Sequence, residues 1–159
     1  MGMINMNIFV LDKCPQLCAA YHCDKHVLKM LVEYTQILST ISRLNGIDAG
    51  YKITHPNRKC VKWAGESLDN YKWLFQLVLE LEQEYIKRYK KPSHKSTFVA
   101  VSLGYPDLPV KGLTPFVFDV KGHEDCVVED DIIQSYRNYY MNHKREMKTW
   151  RNGKPDWWE

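Results

Sequence analysis

From Pro15 to Leu44 the apolar side chains return at the spacing of a single helical face. At about 100° per residue, Leu17, Tyr21, Leu28, Leu31, Val32, Thr35 and Leu38 gather on one side. This pattern predicts one long helix buried along a stripe. Pro15 suits the first helical position, where its missing N–H would have no partner anyway, and Asn45-Gly46 supplies a stop. A second helix is predicted from Arg58 or Lys62 to Tyr89, with Trp63, Leu68, Tyr71, Leu74, Phe75, Val78, Leu81 and Tyr85 inside. Its end is basic, which suits the helix dipole, and Pro92 prevents its continuation. A third begins near Asp130 or Asp131, either able to cap it, and runs to about Trp150. The expected fold is mainly all-α. It is a single compact domain of three major helices, with a short N-terminal strand or arm at Ile8–Asp12 and a long loop at 92–128. That loop holds Pro92, Pro106, Pro109 and Pro115 and leaves room for a small helix near Thr97–Leu103. Loops of this length are commonly functional or mobile.

The chain has 159 residues, which favours one domain, and a 45% hydrophobic share large enough for a core without staples. No apolar run reaches the ~18 residues that cross a bilayer, so no membrane partner is expected. The start, Met1 to Asn7, lacks a basic region followed by an apolar one, so the chain is expected to be intracellular and not secreted. Residues 1–6 read as a leader ahead of the domain. Five cysteines without an export signal read as free thiols. The net charge of +3 says little by itself, but the acids concentrate in the loop, leaving basic ends elsewhere.

Several residues are candidates for chemistry. His22, Lys29, Glu33 and Gln36 form a polar stripe bordering the apolar face of the first helix, with His26 beside it. Asp24 instead projects between Leu31 and Thr35. A carboxylate there either takes up a proton, as a catalytic acid does, or pairs with a cation as a buried brace. His55, in Thr54-His55-Pro56-Asn57, is expected to be held extended by the following proline. It either points into a cleft between the first two helices or marks a plain turn. Cys14, Cys18, His22 and His26 recur every four residues, but four such positions drift by about 120° around the axis, too far for one tetrahedral ion. No metal and no cofactor is expected. Tyr136-Arg137, Tyr139-Tyr140, Lys144, Trp150 and Trp157-Trp158 interleave cations with rings, a mixture that neutralises phosphates and stacks on bases. The other reading is a solvated face with Tyr136 and Tyr140 in the core. No Walker loop, GxGxxG, GxSxG or CxxC occurs.

Three blocks together resemble the pyrimidine-dimer DNA glycosylases of the phage endonuclease V type and their diverged short phage relatives. These are Asp24-Lys25-His26-Val27-Leu28-Lys29 continuing to Glu33 and Gln36, then His55-Pro56 with Trp63-Ala64-Gly65-Glu66, Tyr71 and Arg88-Tyr89, and last Ser135-Tyr136-Arg137 with Lys144. The resemblance implies a small helical DNA repair enzyme without a metal. In it an N-terminal α-amine attacks the sugar carbon of the damaged nucleotide. A carboxylate near the start of the first long helix assists ring opening and β-elimination, and Asp24 is the nearest match, with a side chain one carbon shorter. The expected function is a DNA glycosylase-like enzyme, a hydrolase with or without abasic-site lyase activity, acting on a damaged or modified base. The catalytic set is Asp24, Lys29, Glu33, His22 and His55. The nucleic-acid contacts are Lys25, His26, Arg58, Trp63, Tyr71, Arg88, Arg137, Tyr140, Lys144 and Trp150. The partner is DNA or a free nucleotide. The second reading is a phage-type module that binds a nucleotide or host protein without catalysis.

Overall fold

A computed structural model describes residues 6–159. The described residues form α1 (Pro15–Tyr21), α2 (Asp24–Leu44), α3 (Lys59–Glu66), α4 (Leu68–Tyr89), α5 (Lys95–Leu103) and α6 (Ile132–Asn142), with short 3-10 turns at Glu124–Cys126 and Arg145–Met147. No strand occurs among them. The two long helices, α2 and α4, pack on one another, with α1 against α4 and with α3 and α5 completing the bundle. Leu31, Tyr34, Leu38, Leu74, Leu77, Val78 and Leu81 fill the middle.

Each of the three expected helices is shorter than its periodicity suggested. The first breaks at His22-Cys23, where both residues are extended. The break is held by Arg88, whose guanidinium donates to the carbonyls of Ala20 and His22 at the end of α1 and pairs with Asp24 at the start of α2. It also turns the face: Leu17 and Leu28, expected inside, are 45% and 42% exposed. The second breaks at Ser67, which caps α4 by accepting from the Asn70 amide at 3.0 Å. The third stops at Asn142, with Lys144 left-handed at φ 49°. Asp131 does cap α6, accepting from the Gln134 amide. The Pro15 start and the Asn45-Gly46 stop stand as read, with Gly46 at φ 88°.

The N-terminal segment is an extended arm, not a strand. Of the leader 1–6, residues 1–5 lie outside the described residues, and Met6 is not leader but core at 1% exposure. A buried extended chain without a sheet partner must still satisfy its peptide groups. Here side chains do it: the Tyr34 hydroxyl accepts from Phe9 N, Arg137 donates to Leu11 O and Arg58 donates to Met6 O. The Asn7 carboxamide oxygen accepts from Ile8 N and from the Tyr136 hydroxyl. The long loop is likewise tied down. Asn70, Trp63 and Ser67 bond to Thr114 and Gly112, laying it as a strap across α3 and α4. Among the described residues no helix is long and apolar enough to cross a membrane.

Candidate active site

The break between α1 and α2 sets the start of α2 beside the end of α6. A cleft of about 230 Å³ opens there, lined by Phe9, Cys23, Lys25, His26, Lys29, Tyr139, Lys144, Met147 and Lys148. Four of its nine lining residues are lysines and none is acidic, so positive charge is concentrated there in a chain of net charge only +3. A larger hollow of about 630 Å³ lies between the 113–116 strap and α6, but it has one lysine against Asp130 and Asp131 and does not suit a polyanion.

The wall of the cleft is aromatic. His26 stacks on Phe9, with centroids 4.5 Å apart and planes 13° apart, and Tyr139 stacks on the same ring at 6.1 Å. The Tyr140 hydroxyl accepts from the Cys23 amide at 3.1 Å and lies 2.6 Å from His26 Nδ1 and 3.6 Å from Cys23 Sγ. Burial, helped by His22, Lys148, Lys29 and Lys144, holds the His26 pKa well below the usual imidazole value. Lys148 is also shifted down, chiefly by burial and further by Lys144. Its ammonium donates to the carbonyls of His143 and Lys144 and sits 5.0 Å from the Tyr140 ring centroid.

One turn along α2 from Lys29 lies Glu33, whose side chain is 8% exposed. Its Oε2 stands 3.7 Å from Lys29 Nζ, and its Oε1 is buried with no partner among the described residues. Desolvation raises its pKa above the usual carboxylate value, with the Lys29 charge opposing.

Asp24 is placed differently. It is on the apolar side of the helix, as its position indicated, but both oxygens are occupied. Oδ1 accepts from Arg88 Nη1 at 3.1 Å and from the Arg151 amide at 3.0 Å, and Oδ2 from the Thr149 hydroxyl at 2.9 Å. Glu84 shares Arg88 at 2.9 Å. This is the buried-brace arrangement, and Asp24 does not line the cleft.

His22 leaves the expected stripe because the helix break turns it inward. It is fully buried, with Nδ1 on the Cys18 carbonyl and Nε2 on the Tyr34 hydroxyl, both at 2.7 Å. His55 is exposed and left-handed at φ 46°, not extended, because its carbonyl accepts from Arg58 N in a turn. It lies outside the cleft.

Of the expected nucleic-acid residues, Lys25, His26 and Lys144 line the cleft. The others hold the fold. Arg58 pairs with Asp119 at 3.2 Å, Arg137 with Asp12 at 3.0 Å, and Arg88 with Asp24. Trp63, Tyr71 and Tyr140 are buried, and Trp150 donates to the Tyr21 carbonyl. Phe9, Cys23 and Met147 join the cleft without having been singled out for it, and Tyr139 and Lys148 come from the run of interleaved rings and cations. Lys148 follows Lys144 by four residues, a spacing that marks one helical face, but the chain reverses after His143 and the two lysines meet across a turn.

The family model described as pyrimidine dimer DNA glycosylase matches residues 6–97. No curated protein and no solved structure matches the chain. The matched segment contains Phe9, Cys23, Lys25, His26, Lys29 and Glu33, while α6 and the lysines that follow it, Lys144 and Lys148, lie beyond it. The match spans more than half of the 159 residues, and the chain belongs to the pyrimidine dimer DNA glycosylase family.

Proposed function

We propose that the protein is a DNA glycosylase that acts on a damaged or modified base at the cleft between α2 and α6. The observation that carries this reading is the ring of Lys25, Lys29, Lys144 and Lys148, with no acid among them, around an aromatic wall. Lysines at that density neutralise phosphates, and Phe9, His26 and Tyr139 offer faces for a base.

Within this reading Glu33, not Asp24, is the acid/base. Both Asp24 oxygens are engaged by Arg88, Thr149 and the Arg151 amide, whereas Glu33 keeps an unpartnered oxygen and a raised pKa beside a cleft lysine. A carboxyl poised closer to neutrality donates a proton to a leaving base more readily than an ordinary one. Abasic-site lyase activity additionally needs a neutral amine. Among the described residues Lys148 is the cleft amine whose pKa is pushed down. Its attack on the sugar C1′ would displace the base. Ring opening would give a protonated imine, and loss of a C2′ proton would expel the 3′ phosphate.

The test is base release from a duplex oligonucleotide carrying a cyclobutane pyrimidine dimer, and from one carrying a plain abasic site. Glu33→Gln is expected to lower single-turnover base release by ~10²-fold or more with duplex affinity within a factor of about three. Full activity in that variant would reject the assignment. The small cleft also suits a single nucleotide bound without chemistry. Thermal stabilisation by mononucleotide and none by duplex would favour that reading.

A further inference from the structure

Behind the aromatic wall, on the other side of Tyr139 from the cleft, three donor groups converge. They come from two separate pieces of chain: His123 and Asp125 from the 3-10 turn that follows the strap, and His143 from the residue that ends α6. His123 Nδ1 lies 3.2 Å from His143 Nε2, which lies 3.5 Å from Asp125 Oδ2. All three donor atoms fall within 4.8 Å of one another.

Those separations have a physical meaning. Two ligand atoms each about 2.05 Å from a tetrahedral ion stand ~3.4 Å apart. The two short edges here bracket that value. The longer remaining edge closes by a small rotation of Asp125, whose side chain is 63% exposed and held only by the long contact from the Cys126 thiol. Two imidazoles and one carboxylate are a set that suits zinc and its first-row neighbours, rather than calcium or magnesium, which prefer oxygen alone.

The rings are also held in place. Tyr139 stacks on His143 with centroids 5.2 Å apart and meets His123 edge-on at 5.0 Å. Lys148 donates to the His143 carbonyl, and the Cys126 thiol donates to Asp125 Oδ2 at 3.8 Å. Such outer contacts orient ligands before an ion arrives.

We propose that His123, Asp125 and His143 bind one divalent first-row transition-metal ion, Zn²⁺ foremost, with a fourth position open to solvent. The ion ties the 3-10 turn to the end of α6 and thereby fixes Tyr139, a wall of the cleft. The site stands apart from the glycosylase reading, which routes no step through it.

Calorimetric titration of the tag-free full chain with ZnCl₂ tests it. One equivalent should bind, and His123→Ala and His143→Ala should each weaken binding by ~100-fold while melting like the parent in EDTA. Binding of Co²⁺ should give a visible spectrum of nitrogen and oxygen ligation without thiolate charge transfer, a readout that needs no variant. Absence of stoichiometric binding, equal affinity in both variants, or strong thiolate charge transfer would overturn the proposal.

Discussion

Arg88 Nη1 meets Asp24 Oδ1 at 3.1 Å with the arginine side chain wholly buried, and the same guanidinium donates to the carbonyls of Ala20 and His22. One cation therefore finishes α1, starts α2 and holds the carboxylate between them. Thr149 and the Arg151 amide complete the shell, so the C-terminal tail is anchored on the same acid.

Removing Asp24 leaves Arg88 paired with Glu84 but strips the Thr149 hydroxyl and the Arg151 amide of their acceptor. Asp24→Ala is expected to cost ~1–3 kcal/mol of stability, read by urea unfolding at pH 7. Asp24→Asn should cost less, because its carbonyl oxygen still accepts from Arg88 and the Arg151 amide while its NH2 can donate to Thr149 Oγ1. Its folded fraction should release bases at close to the parent rate. Loss of chemistry with unchanged stability in Asp24→Asn would return Asp24 to the catalytic role.

The sequence carried the helical class, the caps at Pro15, Asn45-Gly46 and Asp131, and the inward position of Asp24. It could not carry the break at His22-Cys23, because the group that makes it, Arg88, is 66 residues from His22 in the chain. The same holds for the cleft. Lys29 and Glu33, with His26 beside them, are local on α2 and belong to the polar stripe that also took in His22 and Gln36, while Lys25 enters through the Asp24–Lys29 block. Phe9, Tyr139 and Lys148 arrive by tertiary packing, from an arm and from a reversal that helical periodicity runs through without marking. Arg58, Arg88 and Arg137, expected as DNA contacts, are paired with acids elsewhere in the chain, a pairing that no local pattern reveals.

Glu33 should show opposite effects on stability and activity. A buried carboxyl with a raised pKa binds more protons folded than unfolded at pH values above the ordinary 4.5. Stability is therefore lost as pH rises through that range, and at pH 7 the buried charge is a liability. Glu33→Gln removes it. The variant should melt at the same temperature or higher than the parent at pH 7 while releasing bases far more slowly. A marked fall in melting temperature would show that Glu33 is a structural group.

The lysine ring makes a quantitative claim about salt. Each phosphate neutralised releases counterions, so the slope of log K against log salt is about −0.9 per contact. Removing Lys25, Lys29 or Lys144 singly should make that slope shallower by ~1 in duplex binding followed by fluorescence anisotropy. Lys62, which lies on α3 away from the cleft, is the control and should leave the slope alone. Equal slopes in all four variants would move the DNA to another surface.

If Lys148 supplies the amine, borohydride should trap a covalent adduct with an abasic duplex, and peptide mapping should find it on Lys148. Lys148→Arg keeps the positive charge but not a neutral amine at ordinary pH. It should abolish the adduct and strand scission while leaving duplex affinity within a factor of about three. An adduct mapped to the N-terminal α-amine, or undiminished trapping in Lys148→Arg, would assign the nucleophile elsewhere.

His22 sets the behaviour in acid. Burial, with a smaller contribution from Arg88, depresses its pKa from 6.5 to about 4, although the bond to the Cys18 carbonyl works the other way. The unfolded chain takes up that proton first, near pH 6.5. Between there and pH 4 the unfolded state binds more protons than the native one, so stability falls as pH falls. It levels off below about 4, once both states are protonated. A separation of about 2.5 units corresponds to roughly 3 kcal/mol. His26, also shifted down, adds in the same direction. Glu33 works the other way above pH 4.5, so urea unfolding of Glu33→Gln between pH 7.5 and 4.5 is where a steady loss of stability should show. The His22 ring resonances should stay those of a neutral imidazole to below pH 5, with the hydrogen on Nδ1. A His22 that titrates near 6.5 in the folded protein would mean that the pocket formed by Cys18, Tyr34 and Arg88 is open to water.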